Sequence, residues 1–317
     1  MTYAQSGTIQ ASDYNSFVGA NTGGIAVNGE LSTVWGRGRG DAGYGQVTPA
    51  NVTVGNTITA TQWSTFFNAL NNMRRHQGLG SNVITALPVA GDTITFISAV
   101  SGNLTAGYGN RSNYGSSGTT TTGSVVNTAY STTTSTLYTV NVTRTVTFAS
   151  ADAARYFFNA GGRLVFNVTG ITRTDATSRG ATVIAFAPML TAKTFGSANT
   201  SARSGSGGNS VNDVTNIGYW NLTTTDQTLF SAAATTAQYT DSTVTLRVRS
   251  NGQQDATYQD RGTVLTFTYT IVSGFQSAEA GADTTSDDIS GTITTRIDII
   301  NPETTFLTNT WGTITVT

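Results

Sequence analysis

Apolar residues recur along this chain with two different periods, and the change from one to the other falls after Gly78. Trp63, Phe66, Phe67, Leu70 and Met73 fall at i, i+3, i+4, i+7 and i+10, the spacing of one helix face. Thr61 stands where an N-cap would, and Gly78 follows the expected end. Arg74, Arg75 and His76 occupy the last turn, where positive charge suits the negative end of the helix dipole. A shorter stripe precedes this one: Tyr14, Phe17 and Val18, with Ser12 as the expected cap and Asn21 and Gly23-Gly24 as the stop. The two regions share a phrase, "TIQASDYNSF" from Thr8 and "TITATQWSTF" from Thr57. Each therefore reads as an extended Thr-Ile-x-Ala entering a capped amphipathic helix. Neither helix is long enough to be stable alone, so packing the two aromatic stripes together would support both.

From about Asp92 the period shortens to two. "DTITFISAV", "STLYTVNVTRTVTF", "GRLVFNVTGITRT", "STVTLRVRS", "GTVLTFTYTIV" and "SGTITTRIDII" all read as strands. In "TVTLRVR", Val244, Leu246 and Val248 point one way, while Thr245, Arg247 and Arg249 point the other. "SADAARYFFNAGG" reads as a short helix with Ser150 as cap and Gly161 after its stop, and the Gly/Ser-rich stretches 101–124 and 196–210 read as long loops. The expected fold is mainly β. An antiparallel β-sandwich occupies 86–317, and a small α-helical N-terminal domain occupies 1–85.

Composition narrows the class. Charged residues are 10% of the chain, against about 25% in ordinary soluble domains, and Thr, Ser, Gly and Asn take their place. With no cysteine and one histidine, a disulfide framework and a Cys- or His-rich metal centre are excluded, and no cofactor is expected. A net charge of −1 with a single lysine, Lys193, argues against nucleic acid as a partner. No apolar run approaches a membrane span, and "MTYAQSGTIQ" has neither the charged region nor the apolar core of a signal peptide. Sequons at Asn51, Asn103, Asn141, Asn167 and Asn221 are what a Thr-rich chain produces by chance.

Between the two helix phrases lies "GRGRGDAGYGQ", Gly36–Gln46, preceded by Trp35. It lacks the Lys-Ser/Thr of a phosphate loop, so a structural glycine loop is expected. It contains Arg39-Gly40-Asp41, the tripeptide of some cell-adhesion ligands. His76 has no sequence neighbours that would make a catalytic triad, and its expected role is at the helix end. Asp283, Asp287 and Asp288 do not match an EF-hand and read as an acidic turn. Tyr219-Trp220-Asn221 could stack on a sugar but reads first as core. No catalytic constellation emerges, and the chain is expected not to be an enzyme.

The two helix phrases, with "GDAGYGQ" between them and "HQG" at His76–Gly78, resemble a family of tailed-bacteriophage virion proteins. "ARYFFNAGGRLVF", "YTDSTVTLRVRSNG", "GTVLTFTYTI" and "DDISGTITTRI" follow in the same order, so the resemblance runs from about Ile9 to about Ile297. It implies a location in the virion, a tail, neck or fibre-associated structural role, and partners among other virion proteins and further copies of the same chain. A receptor- or glycan-binding module facing a host surface glycan, and a capsid decoration protein, are the alternatives. Tyr14, Phe17, Trp35, Arg39, Asp41, Tyr44, Trp63 and Phe66 are the expected anchors of the attachment interface.

Overall fold

The computed structural model describes residues 10–20, 27–89, 97–133, 136–197, 217–234, 239, 241–253, 262–274 and 288–317. Four helices come first: α1 (Ala11–Val18), α2 (Leu31–Val34), α3 (Ala60–His76) and α4 (Ile97–Gly109). Then follow β1 (Ser117–Thr121), β2 (Val126–Thr132), β3 (Tyr138–Thr147), α5 (Ala151–Asn159), β4 (Arg163–Arg173), α6 (Ser178–Ala185) and β5 (Lys193–Phe195). The chain continues through β6 (Gln227–Ala233), β7 (Thr243–Ser250), β8 (Val264–Ser273), β9 (Ile289–Pro302) and β10 (Thr315–Val316). The molecule is mainly β, with its strands in two antiparallel sheets.

In the first sheet β9 is the spine. It pairs with β4 along one side and with β2 and then β1 along the other, while β5 adds to β4. The second sheet runs β10-β3-β8-β7-β6. The alternation expected in "TVTLRVR" is present: Val244, Leu246 and Val248 are fully buried, and Arg249 is exposed. Side chains of the two sheets meet. Phe166 of β4 stacks on Phe267 of β8 at 6.3 Å, and Phe195 of β5 meets the same ring edge-on at 5.6 Å. Buried Arg144 on β3 reaches across to donate to the Thr295 carbonyl of β9 at 2.9 Å.

The aromatic stripes of α1 and α3 face each other as expected. Tyr14 lies edge-on to Trp63 at 5.1 Å, and both Tyr14 and Phe17 contact Phe66, at 6.1 and 6.4 Å. One contiguous set of buried apolar residues runs from these rings through α4 and α5 into both sheets. Two asparagines tie extended chain to the helices by pairing with both backbone groups of one residue. Asn15 does so with Val52, and Asn71 with Ile84.

Several boundaries differ from the sequence reading. Thr59, not Thr61, caps α3: its hydroxyl accepts from Gln62 N–H while the Gln62 side chain accepts from Thr59 N–H, a reciprocal capping box. In α1 the cap position is Gln10, whose N–H donates to Asp13, and Ser12 lies inside the helix. That helix stops at Gly19, before the expected stop, and Asn21 and Gly23-Gly24 lie outside the described residues. Residues 97–100 of "DTITFISAV" are helical, not extended, and the loop expected over 101–124 is the rest of α4 followed by β1. Most of the 196–210 stretch falls outside the described residues. Ser150 caps α5 as expected, and Gly161 follows it at φ 93°.

Candidate functional site: the buried glycine loop and the His76–Glu303 pair

The loop Gly36–Gln46 leaves α2, turns through glycine and comes back against its own start. Tyr44, Gly45 and Gln46 N–H donate to the carbonyls of Val34, Gly36 and Trp35, all at 2.8–2.9 Å. The turn needs glycine. Gly43 sits at φ 100°, and a Cβ there would run into the Arg37 carbonyl.

The rest of the molecule then grips this loop. From α5, buried Arg155 donates to the carbonyls of Arg37 and Ala42 at 2.7 and 2.8 Å, and Asn159 donates to those of Gly40 and Gly43 at 3.1 and 3.2 Å. From the C-terminal segment, Gln46 and Thr308 exchange two bonds of 2.9 and 2.8 Å, and Thr310 donates to the Tyr44 carbonyl. From the end of α3, Gln77 donates to Tyr44 Oη at 3.1 Å, and that hydroxyl donates onward to the Arg111 carbonyl. Arg111 in turn holds Asp41 through two bonds, at 2.7 and 3.1 Å. Burial would lower the Arg111 pKa, but the Asp41 hydrogen bond and charge outweigh it and raise the value.

His76 lies beside this loop. Its ring is buried edge-on to Tyr44 at 4.8 Å, and its Nδ1 is 2.9 Å from Glu303 Oε1. The other Glu303 oxygen accepts the N–H groups of Thr305 and Phe306 at 2.6 and 3.2 Å. Burial alone would raise the Glu303 pKa. The His76 hydrogen bond and charge and the two backbone N–H groups overcome it, and the pKa falls below the usual carboxylate value. An ionised Glu303 makes Nδ1 the protonated nitrogen of the contact. Glu303 also borders a cleft of about 430 Å³. Ser117, Thr119, Asn301, Asn309 and Trp311 line it as well, so its polar lining is mostly hydroxyl and amide.

The expected interface residues therefore have particular places. Tyr14, Phe17, Trp35, Tyr44, Trp63 and Phe66 are all buried within the chain's own core. Arg39 and Asp41 are half-buried, and the Arg39-Gly40-Asp41 tripeptide is part of the gripped loop, with Asp41 committed to Arg111. In "GRGRG" the carbonyls of Arg37 and Gly40 accept from Arg155 and Asn159 of α5. Tyr219 is buried and stacked on Phe158 at 4.3 Å, as the core reading expects. Asp283 and Asp287 lie outside the described residues. Among the described residues, no three His, Cys, Asp or Glu side chains gather as a metal set. His76 does more than close a helix, and Glu303, its partner 227 residues away, had no signal in the local sequence. No helix among the described residues is long and apolar enough to cross a membrane.

No protein-family model, curated protein or solved structure matches this chain.

Proposed function

We propose that this chain is a non-enzymatic structural component of a tailed-phage particle, held there in multiple copies and attached through its N-terminal helical region. In this reading the two sheets form a sandwich that projects from that region. One observation carries it: three of the motifs behind the phage resemblance meet at a single junction. Arg155 and Asn159 of "ARYFFNAGG" bind the carbonyls of "GDAGYGQ", and Gln77 of "HQG" binds Tyr44 of the same loop. These residues spend their polar groups on one another, which suits an architectural role. With all six aromatic anchors in the core, the attachment surface is assigned to the stretch 47–56 that follows the buried glycine loop. There Val47 and Val54 are 91% and 81% exposed.

The test uses the full chain in infected cells. The protein should co-purify with intact particles, and Val47→Asp with Val54→Asp should lower its incorporation while the purified variant keeps its melting temperature. Particles that lack the protein, or that take up the variant at the wild-type level, would overturn the reading or its attachment surface respectively. The hydroxyl- and amide-lined cleft beside Glu303 favours a second reading, a receptor- or glycan-binding module. Binding of host surface glycan by the purified chain, weakened by Asn309→Ala, would select it.

A further inference from the structure

Copies that assemble need a surface on which to meet, and the sheet edges differ sharply in how well they are closed. Edge strands expose unpaired backbone groups, and proteins usually blunt them by shortness, bulges, charge or proline. Three edges here are blunted in that way. β10 has two residues and pairs only with 146–147 of β3. β5 has three and pairs only with 164–166 of β4, which beyond it carries a register shift and Arg173. β6 carries a register shift between Thr228 and Phe230 and has the Arg249–Asp226 ion pair at its start. β1 is short and also shifted, between Ser117 and Thr120.

β2 has none of these devices. Its seven residues pair with β9 without interruption, from Val126 opposite Thr295 to Thr132 opposite Ile289. No proline or charged residue occurs from Ser112 to Thr143. Its free side can be identified from one bond. Ser131 N–H donates to Tyr138 Oη at 3.2 Å, so it points away from β9. The two-residue period of a strand turns the N–H and C=O of Asn127 and Ala129 to that same side. Among the described residues no strand pairs there. Val125, Val126 and Leu137 flank the edge at 56%, 38% and 62% exposure.

We infer that β2 is a self-association edge that pairs antiparallel with β2 of a second copy, making one continuous sheet across a two-fold axis. The inference rests on the multi-copy part of the reading above. The occupant follows from the strand itself. An uncharged segment meets its own copy without the repulsion that a charged edge would create. A two-fold centred near Thr128 sets Asn127 of each copy opposite Ala129 of the other, an arrangement that forms about four backbone hydrogen bonds. Tyr138 closes the Ser131 end and so fixes the register.

The test is sedimentation velocity on the purified full chain as a function of concentration. Ala129→Pro removes an outward N–H that β9 does not use, so β2 keeps its place in the sheet. Asn127→Lys sets like charges close together across the two-fold. The wild type should associate reversibly, and each variant should weaken association by at least about tenfold while circular dichroism stays unchanged. Mixing Asn127→Lys with Asn127→Glu chains should restore it. If Ala129→Pro does not fold, the Asn127 pair decides. A wild type that stays monomeric to its highest soluble concentration would overturn the inference, as would association indifferent to the Asn127 substitutions. A monomeric chain that is still found in particles would remove this edge and leave the particle reading standing. A chain that associates through β2 but is absent from particles would do the reverse.

Discussion

Replacing Glu303 by glutamine keeps the shape of the side chain and removes its charge. In the native chain the carboxylate accepts from His76 Nδ1, Thr305 N–H and Phe306 N–H, and its side chain is 5% exposed, so water screens these contacts little. Hydrogen bonds to a charged group are worth about 1.5–3 kcal/mol and neutral ones about 1 kcal/mol. Glutamine keeps one oxygen to accept from the two backbone N–H groups, but its NH2 cannot accept from His76 Nδ1, so two contacts weaken and one is lost, at a cost of about 2–4 kcal/mol. Glu303→Ala, which leaves the histidine and both N–H groups without this acceptor, should cost about 3–5 kcal/mol. The pH dependence has a definite sign. The folded carboxyl pKa lies below its ordinary 4.5, so the stabilisation is complete above 4.5 and is lost as pH falls through the folded value. Urea unfolding of the wild type and Glu303→Gln from neutral to strongly acidic pH should therefore give curves that converge in acid. A cost under about 0.5 kcal/mol at neutral pH, or a gap that persists unchanged in acid, would show that the pair is not a stabilising link.

Two further outcomes follow from burial and backbone geometry. Gly43→Ala should destabilise by more than about 3 kcal/mol, because it combines backbone strain with a clash at the Arg37 carbonyl, while Gly55→Ala, at φ 93° in open space, should cost about 1 kcal/mol; thermal melts of the two compare them directly. Burial pushes the Tyr14 phenol up to about 12, and burial followed by the Asp175 charge does the same for Tyr130, so both should ionise late in an alkaline absorbance titration. Because their folded values lie above the ordinary 10, the stability they contribute is present below pH 10 and is lost as pH rises toward 12.

Periodic elements were legible where one face is buried and the other is not. The stripe of α3, the alternation of β7 and the capped α5 all follow from positions alone, because water on one side forces the pattern. α4 was not legible. Among its described side chains, Val100 and Leu104 are the deeply buried apolar ones, and its glycines resemble a loop. One of them, Gly107, lies where a Cβ would strike Met73 of α3, so it serves close helix packing rather than a turn. The junction around Tyr44 was legible only as a set of motifs. Its bonds join residues 46 to 308 and 76 to 303, separations that no local pattern encodes. Aromatic character, likewise, marked Tyr14, Trp63 and Phe66 as anchors without saying that what they anchor is the chain's own interior.

The clasp between residues 44–46 and 308–310 also has a consequence in time. Gln46, Tyr44 and His76 are made early, but their partners at 303–310 emerge from the ribosome more than two hundred residues later. At ordinary elongation rates that interval is on the order of ten to forty-five seconds. During it the glycine loop lacks its last contacts, and contacts this distant in sequence close slowly. A chain interrupted before Glu303 therefore holds its glycine loop by the loop's own backbone bonds and by Gln77, Arg111, Arg155 and Asn159, without the bonds from Thr308 and Thr310 that complete the clasp.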